Sequence, residues 1–271
     1  MESVIDARPL PIRIQLAEHW EFRGLLWHLM VKELKVRYRQ TTLGMAWALA
    51  QPLLPALILG TVFSRALTPS KGAGVPYTLF LLAGLVPWSF LSGAVSSASG
   101  AFVANGYILT KVYFPRAILP AASVLAACLE FAGGCLVLCG WALISGWHPR
   151  AEWLWLPAFF VAEASLAFLI SVGIASLNVL YRDTRHALPF LLQIWMYATP
   201  VLYSPEFVPE RWRWLFGLNP MTCVVLGFRH VLFAAPLDLR LCGMSACVGV
   251  IAAATGIATF LRLQHQLAEL V

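Results

Sequence analysis

The sequence predicts an all-α integral membrane protein with six transmembrane helices, an N-terminal amphipathic helix, and short re-entrant helices before the last span. Two features of composition point there. Hydrophobic residues make up 60% of the 271 residues and charged residues only 12%, against roughly 45–50% and about 25% in an ordinary soluble domain. The mean hydropathy is +0.75, more apolar surface than one water-soluble core can hide, so lipid must cover much of it. The third observation is arrangement. The charges, +6 net, sit between long uncharged runs as anchors and loops and form no basic face of the kind nucleic acid requires.

A membrane helix needs about 20 mostly apolar residues to cross roughly 30 Å of hydrocarbon. Residues 1–43 read as a tail and an interface helix, and 44–271 as one transmembrane domain. The tail is polar and charged without an early apolar segment, so no cleavable signal peptide is expected. Within 20–39, Leu25, Leu26, Leu29, Met30 and Leu34 mix with Lys32, Glu33, Lys35, Arg37 and Arg39. That pattern suits a basic helix lying along a membrane interface, with Trp20, Trp27 and Tyr38 at headgroup depth.

Six spans follow, at about 44–63, 76–103, 117–147, 153–180, 187–203 and 241–261. The second is long enough to tilt or to break near Pro87, and the fifth is short. The third and fourth carry one charge each, Glu130 and Glu163. A carboxylate in hydrocarbon reads as a proton relay, as a polar group lining a transport path, or as a partner in an interhelical hydrogen bond, unless it lies nearer the interface than the boundaries suggest. Residues 204–240 begin polar and aromatic and then turn apolar around Arg229. They are too charged for an ordinary span and read as re-entrant or interfacial helices. With the N-terminus inside, twelve of the nineteen lysines and arginines fall on the cytoplasmic side, which places both termini in the cytoplasm.

The chemistry that is missing narrows the function. The four lysines follow no GxxxxG pattern, and there is neither a G-x-S-x-G elbow nor an HExxH pair. The chain has no nucleotide site of its own, and no cofactor or metal is expected in it. The six cysteines lack CxxC or zinc spacing and read as buried free thiols. The small residues Ser92, Gly93, Ser96, Ser97, Ser99 and Gly100 allow close helix contact or a smooth channel wall. Trp47, Trp88, Trp195 and Tyr197 lie inside spans, where they either pack or offer π faces to sugar rings.

Three blocks carry a family resemblance: LKVRYRQTTLGMAWALAQPLL at 34–54, NVLYRDTRHALPFLLQIWMYATPVLYS at 178–204, and LNPMTCVVLGFRHVLF at 218–233. In that order they resemble the permease subunits of polysaccharide-exporting ABC transporters, of the O-antigen or teichoic-acid type. The likeness extends from about 20 to 262. It implies a half-transporter in a bacterial inner membrane. The partners would be a second copy, two copies of a cytoplasmic ATPase that holds the ATP and Mg, and a glycan on undecaprenyl diphosphate. It implies that Lys35, Arg37, Tyr38 and Arg39 meet lipid headgroups or the substrate diphosphate. Lys111, Arg116, Arg182, Asp183 and Arg185 would couple to the ATPase. Trp47, Trp88, Trp195 and Tyr197 would line the path, and 205–235 would close its outer side. The competing readings are a small-lipid or drug exporter of the same superfamily and a membrane-embedded transferase. The transferase would need clustered acids or histidines, and the six histidines are scattered.

Overall fold

The computed structural model describes residues 20–63, 74–181 and 183–264. All regular structure among them is helical. In chain order the helices are α1 (Arg23–Tyr38), α2 (Ala46–Phe63), α3 (Tyr77–Ser99), the short α4 (Ala101–Ala104) and α5 (Gly106–Lys111), α6 (Ile118–Ile144), α7 (Leu156–Leu180), α8 (Thr184–Ala198), α9 (Glu210–Gly217), α10 (Pro220–Phe233) and α11 (Leu239–Leu263). A 3-10 turn, Ala151–Trp155, leads into α7.

Five helices, α2, α3, α6, α7 and α11, are long and apolar enough to cross a membrane. Their limits follow the expected spans closely. The second span differs in where it breaks. α3 runs unbroken through Pro87 and ends at Gly100, because neighbouring helices compensate the hydrogen bond a proline removes in a membrane helix. Four residues of α4 follow before Asn105 turns the chain again.

The fifth expected span, 187–203, is shorter than its apolar run. α8 holds 15 residues, about 22 Å at 1.5 Å per residue. Thr199 ends it with an extended ψ of 140°, the conformation that the residue before a proline prefers. α9 and α10 are bent by 103° across Leu218 and Asn219, as the re-entrant reading of 205–235 expects. Asn219 caps α10 by accepting from the Met221 amide at 3.0 Å.

α3 is the central helix, buried along most of its length, while α2 and α11 are peripheral. The main core gathers α3 with α6, α7 and α10: Phe90, Phe131 and Phe160 form one ring cluster, and Phe228 of α10 meets Phe131. α7 and α11 approach backbone to backbone. A Cβ built on Gly173 would lie 2.7 Å from the Cα of Gly256, so glycine permits the contact. A second, smaller core packs Leu29 and Met30 of α1 against Phe102, Ile118 and Leu119. That contact seats α1 beside the first turns of α6.

Candidate functional site

α1 brings its charged end to the bundle. Its apolar residues Leu29 and Met30 are buried, which turns Arg37 and Tyr38 in its last turn toward α3 and α6. The chain then reverses through Gln40 and Gly44, both with positive φ. Gly44 takes its φ of 53° without steric cost, and α2 begins two residues later.

The result is a cluster of four side chains. The Arg37 guanidinium donates from Nη1 to Glu130 Oε1 at 2.6 Å and from Nη2 to Ser97 Oγ at 2.7 Å. The Tyr38 hydroxyl donates to the same Glu130 oxygen at 2.6 Å. Burial, and then the hydrogen bond to Glu130, push the Tyr38 phenol above its ordinary value, so it stays protonated and donates. Ser97 lies two residues from the end of α3 and Glu130 near the middle of α6, so Arg37 ties the two helices to α1. The charge in the third span therefore has an interhelical partner.

The cluster forms part of the wall of a cavity of about 340 Å³ between α1, α2, α3 and α6. Trp47, Gln51, Ser89 and Ser96 line it too. The arrangement offers a guanidinium, a phenol and several hydroxyls to an anionic or hydroxylated group. Lys35 and Arg39 are exposed at the same end of α1.

The expected coupling residues lie at that end as well. Asn178 near the end of α7 donates to the Ser99 carbonyl at the end of α3, at 2.8 Å. Lys32 of α1 donates to Asn105 Oδ1 at 2.7 Å, which ties the interface helix to the α4–α5 turn. Lys111, Asp183 and Arg185 are exposed and Arg116 is half-buried. Lys111 lies over the Tyr107 ring at 4.3 Å. Arg182 lies outside the described residues.

The four aromatic candidates divide. Trp47 is 46% exposed and Tyr197 54% exposed, so each keeps an open face. Trp88 is 5% exposed and packs edge-on to Trp195 at 5.6 Å. Trp195 donates to Asn219 Oδ1 at 2.9 Å, and Asn219 donates to Thr199 Oγ1 at 2.7 Å. Trp88 and Trp195 thus join α3, α8 and the re-entrant hairpin.

Arg229 has a structural role that the sequence reading did not assign. It is 2% exposed and donates to the carbonyls of Pro200 at 2.7 Å and Val201 at 2.6 Å. Its guanidinium carbon sits 3.5 Å from the centroid of the Phe80 ring. The available signal was one cation in an otherwise apolar re-entrant segment. Glu163 is fully buried, and neither of its oxygens has a hydrogen-bond partner among the described residues. No group of His, Cys, Asp and Glu among the described residues gathers as a metal site would require.

Comparison with known proteins agrees with this picture. The family model described as "ABC-2 type transporter" matches residues 24–233. The chain is similar to the O-antigen export system permease protein RfbA of Klebsiella pneumoniae, 30% identical over 254 residues, which is 92% of this chain and 96% of that protein. It is 28% identical to RfbA of Myxococcus xanthus, over 80% of this chain and 83% of that protein. It is 24% identical to the polysialic acid transport protein KpsM of Escherichia coli, over 73% and 76%. The matched segment runs from α1 through the re-entrant hairpin, and the chain belongs to the ABC-2 type transporter family.

Proposed function

We propose that this chain is the permease subunit of an ATP-driven exporter that moves a polysaccharide, of the O-antigen class, on undecaprenyl diphosphate across a bacterial inner membrane. The observation that supports this most is the similarity to O-antigen export permeases over nearly the whole of both chains. Both termini lie in the cytoplasm in this reading, as the bias of basic residues suggests. The α1 end is then the cytoplasmic end, and the hairpin of α9 and α10 closes the outer side.

Two copies of the chain enclose the path. Two copies of a separate ATPase bind ATP and Mg and engage Lys111, Arg116, Arg182, Asp183 and Arg185. The chain itself takes no part in phosphoryl transfer. Lys35, Arg37, Tyr38 and Arg39 meet the substrate's diphosphate. Arginine suits this role because its planar fork pairs bidentately with phosphoryl oxygens. Trp47 and Tyr197 offer their open faces to the sliding sugar chain, and Trp88 and Trp195 brace the wall behind them.

Cells lacking the gene test the reading. Long lipid-linked glycan is expected to accumulate on the cytoplasmic side. Wild type should restore surface glycan, and a variant with Arg37, Arg39, Arg182 and Asp183 replaced by alanine should not. Normal surface glycan in the deletion strain, with no second exporter present, refutes the glycan reading and favours a small-lipid or drug exporter.

A further inference from the structure

The cavity at the end of α1 already contains an anion of its own. Glu130 accepts from Arg37 and from Tyr38 through one oxygen, Oε1, at 2.6 Å each. Those are the donors a phosphate group entering the cavity would need. Arg37 and Glu130 keep about a quarter and a sixth of their side-chain surface exposed, so the pair is reachable from the 340 Å³ cavity and not sealed in the core. Its second tie, Arg37 to Ser97 at 2.7 Å, leaves the guanidinium anchored to α3 if the carboxylate lets go.

We propose that Glu130 sets headgroup specificity by occupying the place of the substrate's phosphate, so that only a diphosphate displaces it. This rests on the exporter reading above. With the ion pair formed, the cluster is close to neutral, and a phosphodiester with one negative charge finds no unpaired cation among the described residues that line the cavity. Taking Arg37 from Glu130 would exchange one charge-assisted bond for another with no net gain. A diphosphate has at least two charges and more phosphoryl oxygens. It has the charge and the oxygens to take Arg37 and Tyr38 together. The membrane presents its one-charge phospholipids in great excess over any glycan carrier. A built-in competitor excludes the abundant wrong ligand more effectively than added attraction for the right one, which is how specificity is commonly set against close competitors.

The test uses the full-length chain in phosphatidylcholine nanodiscs and a fluorescent polyprenyl diphosphate as reporter. Farnesyl diphosphate and dihexanoyl phosphatidylglycerol compete for it. Wild type is expected to prefer the diphosphate strongly. In Glu130→Gln, which keeps the shape and one acceptor, the phosphatidylglycerol affinity is expected to rise about tenfold, the scale of one regained charge-assisted bond. The preference for diphosphate should fall accordingly. An unchanged ratio of the two affinities in Glu130→Gln overturns the proposal and leaves the exporter reading standing. A wild type that shows no preference for the diphosphate overturns both.

A second measurement needs no variant. Carbodiimide labelling of the wild-type chain, read by peptide mass spectrometry, should rise several-fold at Glu130 under saturating farnesyl diphosphate and stay level under phosphatidylglycerol. Labelling that farnesyl diphosphate leaves unchanged would contradict the displacement.

Discussion

Arg229 and Glu130 are both charges inside apolar segments, and they are satisfied in different ways. Glu130 has a cation from another helix. Arg229 has backbone carbonyls and a ring face, because α8 ends at Thr199 and the carbonyls of Pro200 and Val201 beyond it lie outside any helix. Arg229→Met removes two short charge-assisted bonds, each contributing roughly 1.5–3 kcal/mol, so a loss of at least about 3 kcal/mol is expected. Thermal unfolding in nanodiscs reads it. Arg229→Lys should fall between, since an ammonium lacks the fork that spans both carbonyls. Gly84 reports on the same contact from the other side. A Cβ there would meet the Val201 carbonyl oxygen at 3.0 Å and Arg229 Nη2 at 3.1 Å. Gly84→Val is expected to destabilise more than Gly84→Ala. Combined with Arg229→Met it should do so by less than the sum of the two single changes, because they share partners.

At the scale of elements, the close crossing of α7 and α11 depends on glycine at 173 and 256. Gly256→Leu has no space to enter without moving the Leu169 carbonyl of α7, so it should separate the two helices. A broadened, early-eluting peak in size-exclusion chromatography would show this, and a wild-type profile would refute it. These long helices were the legible part of the fold. The expected spans 153–180 and 241–261 became α7 and α11 with shifts of two or three residues, because length and hydropathy suffice for a helix that crosses lipid. The end of α8 was less legible. Its apolar run continues past Pro200, and the stop depends on Thr199 and on carbonyls that Arg229 collects from a distant segment. The break at Gly100 in place of Pro87 has the same origin, since neighbouring helices decide whether a proline interrupts a span. Site residues showed the same division. The basic end of α1 was visible as composition. Its partner Glu130 lies 93 positions away from Arg37, and no local pattern joins them. The aromatic side chains were found as types, but which faces stay open is set by tertiary packing.

Across the whole molecule, the α1 end combines everything that a cytoplasmic partner would have to move. Lys32 binds Asn105, and Asn178 binds the end of α3, so the interface helix, the α4–α5 turn and α7 share one set of ties with the helix that anchors Arg37 through Ser97. Lys32→Met is expected to leave the chain folded, with ATPase partner still bound, but to slow export several-fold per ATP hydrolysed. Unchanged export per ATP would show that the tie carries no motion. We propose that this permease moves a lipid-linked glycan under the power of a separate ATPase. Inverted membrane vesicles containing the chain and its cognate ATPase, supplied from outside with undecaprenyl-diphosphate-linked glycan, test it most directly. Glycan is expected to become protected inside the vesicles only when ATP and both proteins are present. Vesicles that move a small amphiphilic dye or a phospholipid with ATP, and leave the glycan outside, would contradict it.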